Sequence, residues 1–104
     1  MRFAHEGLDA YRLSLEVARW IGNAAFPRGV ADLKDQGHRA ARSVVLNIAE
    51  GRSRNGRARS NHYSIARGSA AETCSVLDLV DLPQGAEQQD KLRRVNQMLR
   101  NMGG

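Results

Sequence analysis

The chain is poor in the features that mark several large classes of protein. It holds one cysteine, so no intrachain disulfide can form, and Cys74 is expected to be a small buried thiol in a reducing cytoplasm. No apolar run approaches the ~18 residues of a membrane-spanning helix, and the opening residues 1–6 lack the apolar core of a signal peptide. A soluble cytoplasmic protein without membrane contact is the expectation. Only five residues are aromatic, and many core-pattern positions are Ala, Ser or Gly. One copy alone therefore has a thin core, and burial between copies would strengthen it.

Motifs of catalysis and cofactor binding are missing as well. There is no Walker A loop and no Gly-rich strand-to-helix turn. A di-iron bundle needs Glu-x-x-His pairs, and no Glu here is followed by His three residues later. His5, His38 and His62 stand on different segments with no Cys or carboxylate at ligand spacing. The expectation is no catalytic residue, no metal and no cofactor. An RNase built on His38 or His62 with arginines lacks any signature beyond what every basic protein with histidines would share.

What is present is helical periodicity. With 104 residues, 41% of them hydrophobic and 26% charged, the chain suits one globular domain. Leu8, Tyr11, Leu15, Ala18, Ile21 and Ala25 step by three or four and predict a helix over about 7–25, ended by Pro27 and Gly29. A second helix, about 31–51, carries Asp32 and Asp35 at its N-terminal end, with Leu33, Gly37, Ala40, Ala41, Val44 and Ile48 inside and Gly51 as a left-handed cap. Residues 52–60 read as a basic loop. A third helix, about 61–82, has His62, Ile65, Ala66, Ser69, Ala70, Thr73, Val76, Leu77 and Val80 as inner positions. Pro83 breaks the chain before a last helix, about 86–102, with Leu92, Val95, Met98, Leu99 and Met102 inside. Four helices with short connections predict an all-α, antiparallel up-down-up-down four-helix bundle over 1–104 that self-assembles.

Two polar features remain. The net charge of +5 is concentrated, because Arg39, Arg42, Arg52, Arg54, Arg57, Arg59 and Arg67 face a single acid, Glu50, between positions 39 and 67. Outside that window nine basic residues oppose ten acids. Arginine presents a planar fork that pairs bidentately with phosphate, so this segment is the candidate nucleic-acid contact, although GC-rich coding also favours arginine over lysine. The second feature is a polar stripe, Gln36, Ser43, Asn47 and Glu50, expected to face Ser69, Glu72 and Thr73 on the third helix. It reads either as a hydrogen-bonded seam that sets helix pairing or as a polar ligand groove.

The run Asn47-Ile48-Ala49-Glu50-Gly51 followed by basic residues, then Ile65-Ala66-Arg67-Gly68-Ser69 with Glu72 beyond, resembles the paired signature of the 23S rRNA intervening-sequence proteins. Leu8-x-x-Tyr11 with Ala18, Phe26-Pro27 and Gln36-x-x-Arg39-Ala40-x-x-Ser43 add to the likeness, which spans about residues 5 to 100. The accessory variability determinant of diversity-generating retroelements shares that fold group. The resemblance implies a homopentameric four-helix bundle with a basic face, and a reverse transcriptase as a conceivable protein partner. The chain departs from the pattern in its arginine-rich stretch after Gly51 and in the Gly/Pro-interrupted approach to the last helix. The functional expectation is a non-enzymatic accessory protein that binds RNA or DNA without reading sequence. The alternative is a self-assembling interaction scaffold whose arginines only solubilise it or pair with neighbouring subunits.

Overall fold

The computed structural model describes residues 1–103, and all regular structure among them is helical. A short 3-10 turn, Ala4–Gly7, precedes four α-helices: α1 Asp9–Asn23, α2 Ala31–Arg52, α3 Gly56–Leu79 and α4 Gly85–Asn101. Each helix stops where its sequence stops supporting it. Ala24 is already extended ahead of Phe26-Pro27, and Val80 is extended ahead of Leu82-Pro83, so α1 and α3 end two to three residues before the periodicity suggested. The clash of a proline ring with the residue before it favours extended backbone there.

Contacts join α1 to α2, α2 to α3, α3 to α4 and α4 back to α1. Along α2 and α3 the numbers fall on one as they rise on the other: Gly51 with Arg59, Asn47 with His62, Ser43 with Ser69, Gln36 with Glu72. The same order ties α3 to α4 through Cys74 with Gln89, Arg67 with Asn96 and Ser60 with Gly103. Across α1 and α4 it is Glu16 with Lys91 and Trp20 with Gln84. Trp20 thus sits half-buried at an edge of the core, and its indole N–H reaches Gln84 Oε1 at 3.3 Å.

The core corrects the sequence reading at several positions. On α1 the buried stripe is Ala10, Ser14, Val17, Ala18 and Ile21, while Leu8, Tyr11 and Leu15 are half-buried and Ala25 is exposed. Ser14 is tolerated inside because its hydroxyl donates to the Tyr11 carbonyl at 2.8 Å. On α3, Ile65 is 51% exposed and Tyr63 takes the inner place at 1%. The reason is Gly51. It is not a left-handed cap but a buried helical residue, against which the Tyr63 ring lies so closely that an added Cβ would stand 2.7 Å from Tyr63 Cε1. Gln88 on α4 is also buried, which periodicity had left outside.

Candidate nucleic-acid interface

The connection between α2 and α3 is only Ser53–Asn55, not a nine-residue loop. Gly56, at φ +54, turns the chain into α3 in a conformation that residues with a side chain rarely adopt. Arg57 and Arg59 therefore stand on the first turns of a helix. Arg59 reaches back to the end of α2, with Nε 3.1 Å from the Gly51 carbonyl and Nη2 2.9 Å from the Arg52 carbonyl. The last carbonyls of a helix lack intrahelical partners and carry partial negative charge, so this guanidinium caps α2.

The other arginines divide by what they touch. Arg54 Nε bonds Glu50 Oε2 at 2.9 Å, and Ser53 Oγ donates to the same oxygen at 3.2 Å. The Arg54 hydrogen bond and charge, then the Ser53 hydroxyl, hold the Glu50 carboxyl below its ordinary range, against a small opposing effect of burial. Arg39 pairs with Asp35 at 3.4 Å on the surface of α2. Arg67 Nε donates to Asn96 Oδ1 at 3.1 Å, joining α3 to α4. Arg42, Arg52 and Arg57 make no side-chain hydrogen bond or ion pair among the described residues. The seven arginines are thus not one patch. Arg52, Arg54, Arg57 and Arg59 gather at the α2–α3 turn, and Arg42 lies ten residues back along α2, about 15 Å away at 1.5 Å per residue.

One cation that sequence reasoning missed belongs near this turn. Arg100 is exposed in the last turn of α4, and the Ser60 hydroxyl bonds the Gly103 carbonyl at 2.9 Å, which brings the end of α4 beside the start of α3. The signal was the basic residue in the final turn of a helix that must end where α2 ends.

The polar stripe is a chain of hydrogen bonds between α2 and α3. Asn47 Nδ2 donates to the Ser43 carbonyl at 2.9 Å and lies 3.2 Å from Ser43 Oγ, which pairs with Ser69 Oγ at 2.8 Å. The Asn47 amide nitrogen must face that carbonyl, so its Oδ1 faces His62 Nδ1 at 2.9 Å and His62 carries its proton on Nδ1. Gln36 Nε2 reaches Glu72 Oε2 at 3.3 Å on the surface. Two expected members differ. Glu50 is engaged by Ser53 and Arg54 and belongs to the basic turn, while the Thr73 hydroxyl turns back to the Ser69 carbonyl of its own helix.

No group of three metal-ligating side chains occurs among the described residues. No helix among them is long and apolar enough to cross a membrane. Cys74 is half-buried, and that burial pushes its thiol pKa up, with Arg93 opposing and Asp78 and Asp90 reinforcing.

The sequence signature now has a physical basis: Asn47 and Ser69 are seam residues, Gly51 is the seat of Tyr63, and Arg67 links α3 to α4. Residues 6–102 match the sequence model of the 23S rRNA-intervening sequence proteins. The chain belongs to that family. A comparison with curated proteins returns no match. In this member of the family the signature residues Asn47, Ser69 and Arg67 serve helix pairing, while Glu50 holds the basic turn. The residues turned to solvent at the α2–α3 turn, Arg54 and Arg57, lie just beyond them.

Proposed function

We propose that this chain is a non-enzymatic accessory protein that binds nucleic acid through phosphate contacts, without reading sequence, as a homo-oligomeric up-down-up-down bundle in the cytoplasm. The opposed order of contacts along each neighbouring helix pair supports the antiparallel bundle, and the thin, alanine-rich core supports self-assembly, with five copies favoured by the family likeness. A reverse transcriptase remains the protein partner that likeness would suggest.

One observation carries the nucleic-acid reading. α3 has no acid in its first turn, and Arg57 stands there exposed and unpaired among the described residues. A cation at that end opposes the helix dipole, by about 0.3–1 kcal/mol at low salt. Arg59 has a compensating role as the cap of α2, but Arg57 has none among the described residues, and a phosphate would supply one. Together with Arg52, Arg54 and Arg100 it makes a basic end that an oligomer would repeat, adding weak contacts through effective concentration.

The partnered arginines favour a second reading. Arg39, Arg54, Arg59 and Arg67 all have partners inside the chain, as a self-assembling scaffold that binds no nucleic acid would require. Titration of mixed-sequence RNA and DNA against salt separates the two. Phosphate contact predicts binding at low salt that weakens with a log–log slope of about −0.7 to −0.9 per phosphate neutralised. Replacing Arg52, Arg57 and Arg100 by Ser should flatten that slope without loss of helicity. Wild-type protein that binds neither nucleic acid at about 50 mM salt leaves the scaffold.

A further inference from the structure

We propose that the basic end of the bundle binds unpaired nucleic acid, with Phe3 as the platform on which a base stacks while the arginines around the α2–α3 turn hold the phosphates. This rests on the nucleic-acid reading above and names the form of nucleic acid it takes. A lone exposed apolar side chain is ordinary on a protein surface, but Phe3 is held in place. Its ring lies over that of His5, with centroids 5.8 Å apart and planes 14° from parallel, and the His5 ring meets Tyr11 edge-on at 4.7 Å. Tyr11 packs on the core, so three rings run outward in series and end on a Phe3 that is 72% exposed. The backbone beneath them is fixed as well. The Phe3 N–H donates to Glu6 Oε2 at 3.1 Å, and the N–H groups of Glu6 and Leu8 donate to the carbonyls of Phe3 and His5 at 3.1 and 3.0 Å. A ring ordered before its ligand arrives loses less freedom on binding.

The platform stands at the basic end. Gly22 lies against His38, and Leu15 shares a groove with Val45, so the numbers rise along α1 as they fall along α2. The residues before Leu8 are thereby level with Arg52, and the 3-10 turn Ala4–Gly7 touches α1 and α2 but no other helix among the described residues. Arg2 adjoins Phe3 and is exposed. Like Arg52 and Arg57, it makes no side-chain hydrogen bond or ion pair among the described residues. The acids of this end are each engaged: Glu6 by the Phe3 N–H, Asp9 by Arg12 and Glu50 by Arg54.

Cations beside an open ring face are the two parts of a single-strand site. The charges follow the backbone, and the ring accepts whichever base reaches it, because every base has a π-face. In a duplex the base faces are covered by the neighbouring pairs. A duplex therefore offers phosphates to the arginines and nothing to Phe3, whereas a single strand, a loop or a bulge offers both. The arrangement selects for unpaired nucleotides without selecting a sequence.

The test titrates a mixed-sequence single strand, and the same strand annealed to its complement, at about 50 mM salt. The wild type should bind the single strand more tightly. Phe3→Ala should weaken that binding by about 5- to 150-fold, the loss of one stacked base, and leave duplex binding and the salt slope unchanged. Phe3→Trp should keep the single-strand affinity, while Phe3→Leu, apolar but without a π-face, should lose it. Circular dichroism verifies the helices, which an exposed residue ahead of α1 does not hold together. Run with RNA and with DNA, the titration shows which of the two supplies the unpaired bases. A duplex bound as tightly as the single strand, or a Phe3→Ala or Phe3→Leu variant that binds the single strand like the wild type, overturns the platform alone. Wild-type protein that binds neither form overturns the nucleic-acid reading beneath it as well.

Discussion

At the start of α3 the turn Ser53–Asn55 contains Arg54 and is flanked by Arg52, Arg57 and Arg59, while the turn at its other end, around Pro83, is flanked by Asp78, Asp81, Glu87 and Asp90. The two turns are closed by different means. At the basic turn the Arg59 guanidinium binds the Arg52 carbonyl and shares that of Gly51 with the Arg54 N–H, and Gly51 admits the Tyr63 ring. At the acidic turn Leu82 is buried as an anchor, the Gly85 N–H donates to its carbonyl, and Gln84 takes a left-handed conformation at φ 66 that lets its side chain meet Trp20. Glu87 suits the N-terminal end of α4, whereas Arg57 and Asp78 both oppose the dipole of α3. The difference teaches that charge at the acidic turn partly serves helix termini, while charge at the basic turn exceeds what the fold uses.

The sharpest way to break that comparison is to add one methyl group at each turn. Gly51→Ala places a Cβ 2.7 and 2.8 Å from the buried Tyr63 ring, so it should destabilise by about 1–3 kcal/mol, read as a fall in thermal midpoint. Gly85→Ala meets nothing nearer than Leu82 Cβ at 3.9 Å and should leave stability unchanged or raise it by up to about 1 kcal/mol. Equal losses at both sites would mean that Tyr63 does not rest on Gly51.

The seam between the turns should show the same polarity. Asn47→Leu removes the partner of His62 and Ser43 in a half-buried position, at a cost on the order of 1–3 kcal/mol. Gln36→Leu, nearer the acidic turn, removes one exposed bond to Glu72 and should change the denaturation midpoint by less than about 0.5 kcal/mol. An unchanged midpoint for Asn47→Leu would return the seam to its other reading, a groove for a ligand.

Arg57 and Arg59 are two residues apart and should behave oppositely. Arg59→Ala uncovers the Arg52 carbonyl and leaves that of Gly51 with the Arg54 N–H alone, and should cost about 0.5–2 kcal/mol, comparable to the loss of a helix cap. Arg57→Glu places an acid at the N-terminal end of α3 and should stabilise by roughly 0.3–1 kcal/mol while weakening any binding of RNA. A more stable variant with undiminished binding would remove Arg57 from the interface.

The smallest effect expected is on acid titration. The folded pKa of Glu50 lies below its unfolded value, so its contribution is present above the usual carboxylate range and is lost as pH falls through the folded value. Glu50→Gln should therefore lower stability slightly at neutral pH, leave it unchanged below the folded pKa, and so flatten the acid limb of the stability profile. An equal loss at neutral and at acid pH would point to a structural role beyond the Arg54 pair.

Much of this protein was legible in one dimension. Prolines 27 and 83 and the three-and-four spacing of Gly37, Ala40, Ala41, Val44 and Ile48 locate the helices, because local backbone preference and a single buried face act over a few residues. The Ser43, Asn47 and Ser69 seam was legible for the same reason, since polar residues at helical spacing beside an apolar face meet a neighbour. The phase of α1 was not, because Leu8, Tyr11 and Leu15 are larger than Ala10 and Ser14 and look like the better core. What decided their places was which face α2 and α4 covered.

The basic turn shows the same division most plainly. Sequence alone determined that arginines crowd between Arg52 and Arg59, and that they oppose one acid. Only tertiary structure decided that Arg59 is a cap, that Arg67 is engaged with α4, that Arg100 joins the same end and that Arg57 has no partner among the described residues. A side chain's partner across the bundle is set by the pairing of helices far apart in the chain, and Tyr63 could replace Ile65 inside only because Gly51, twelve residues away, leaves room for its ring.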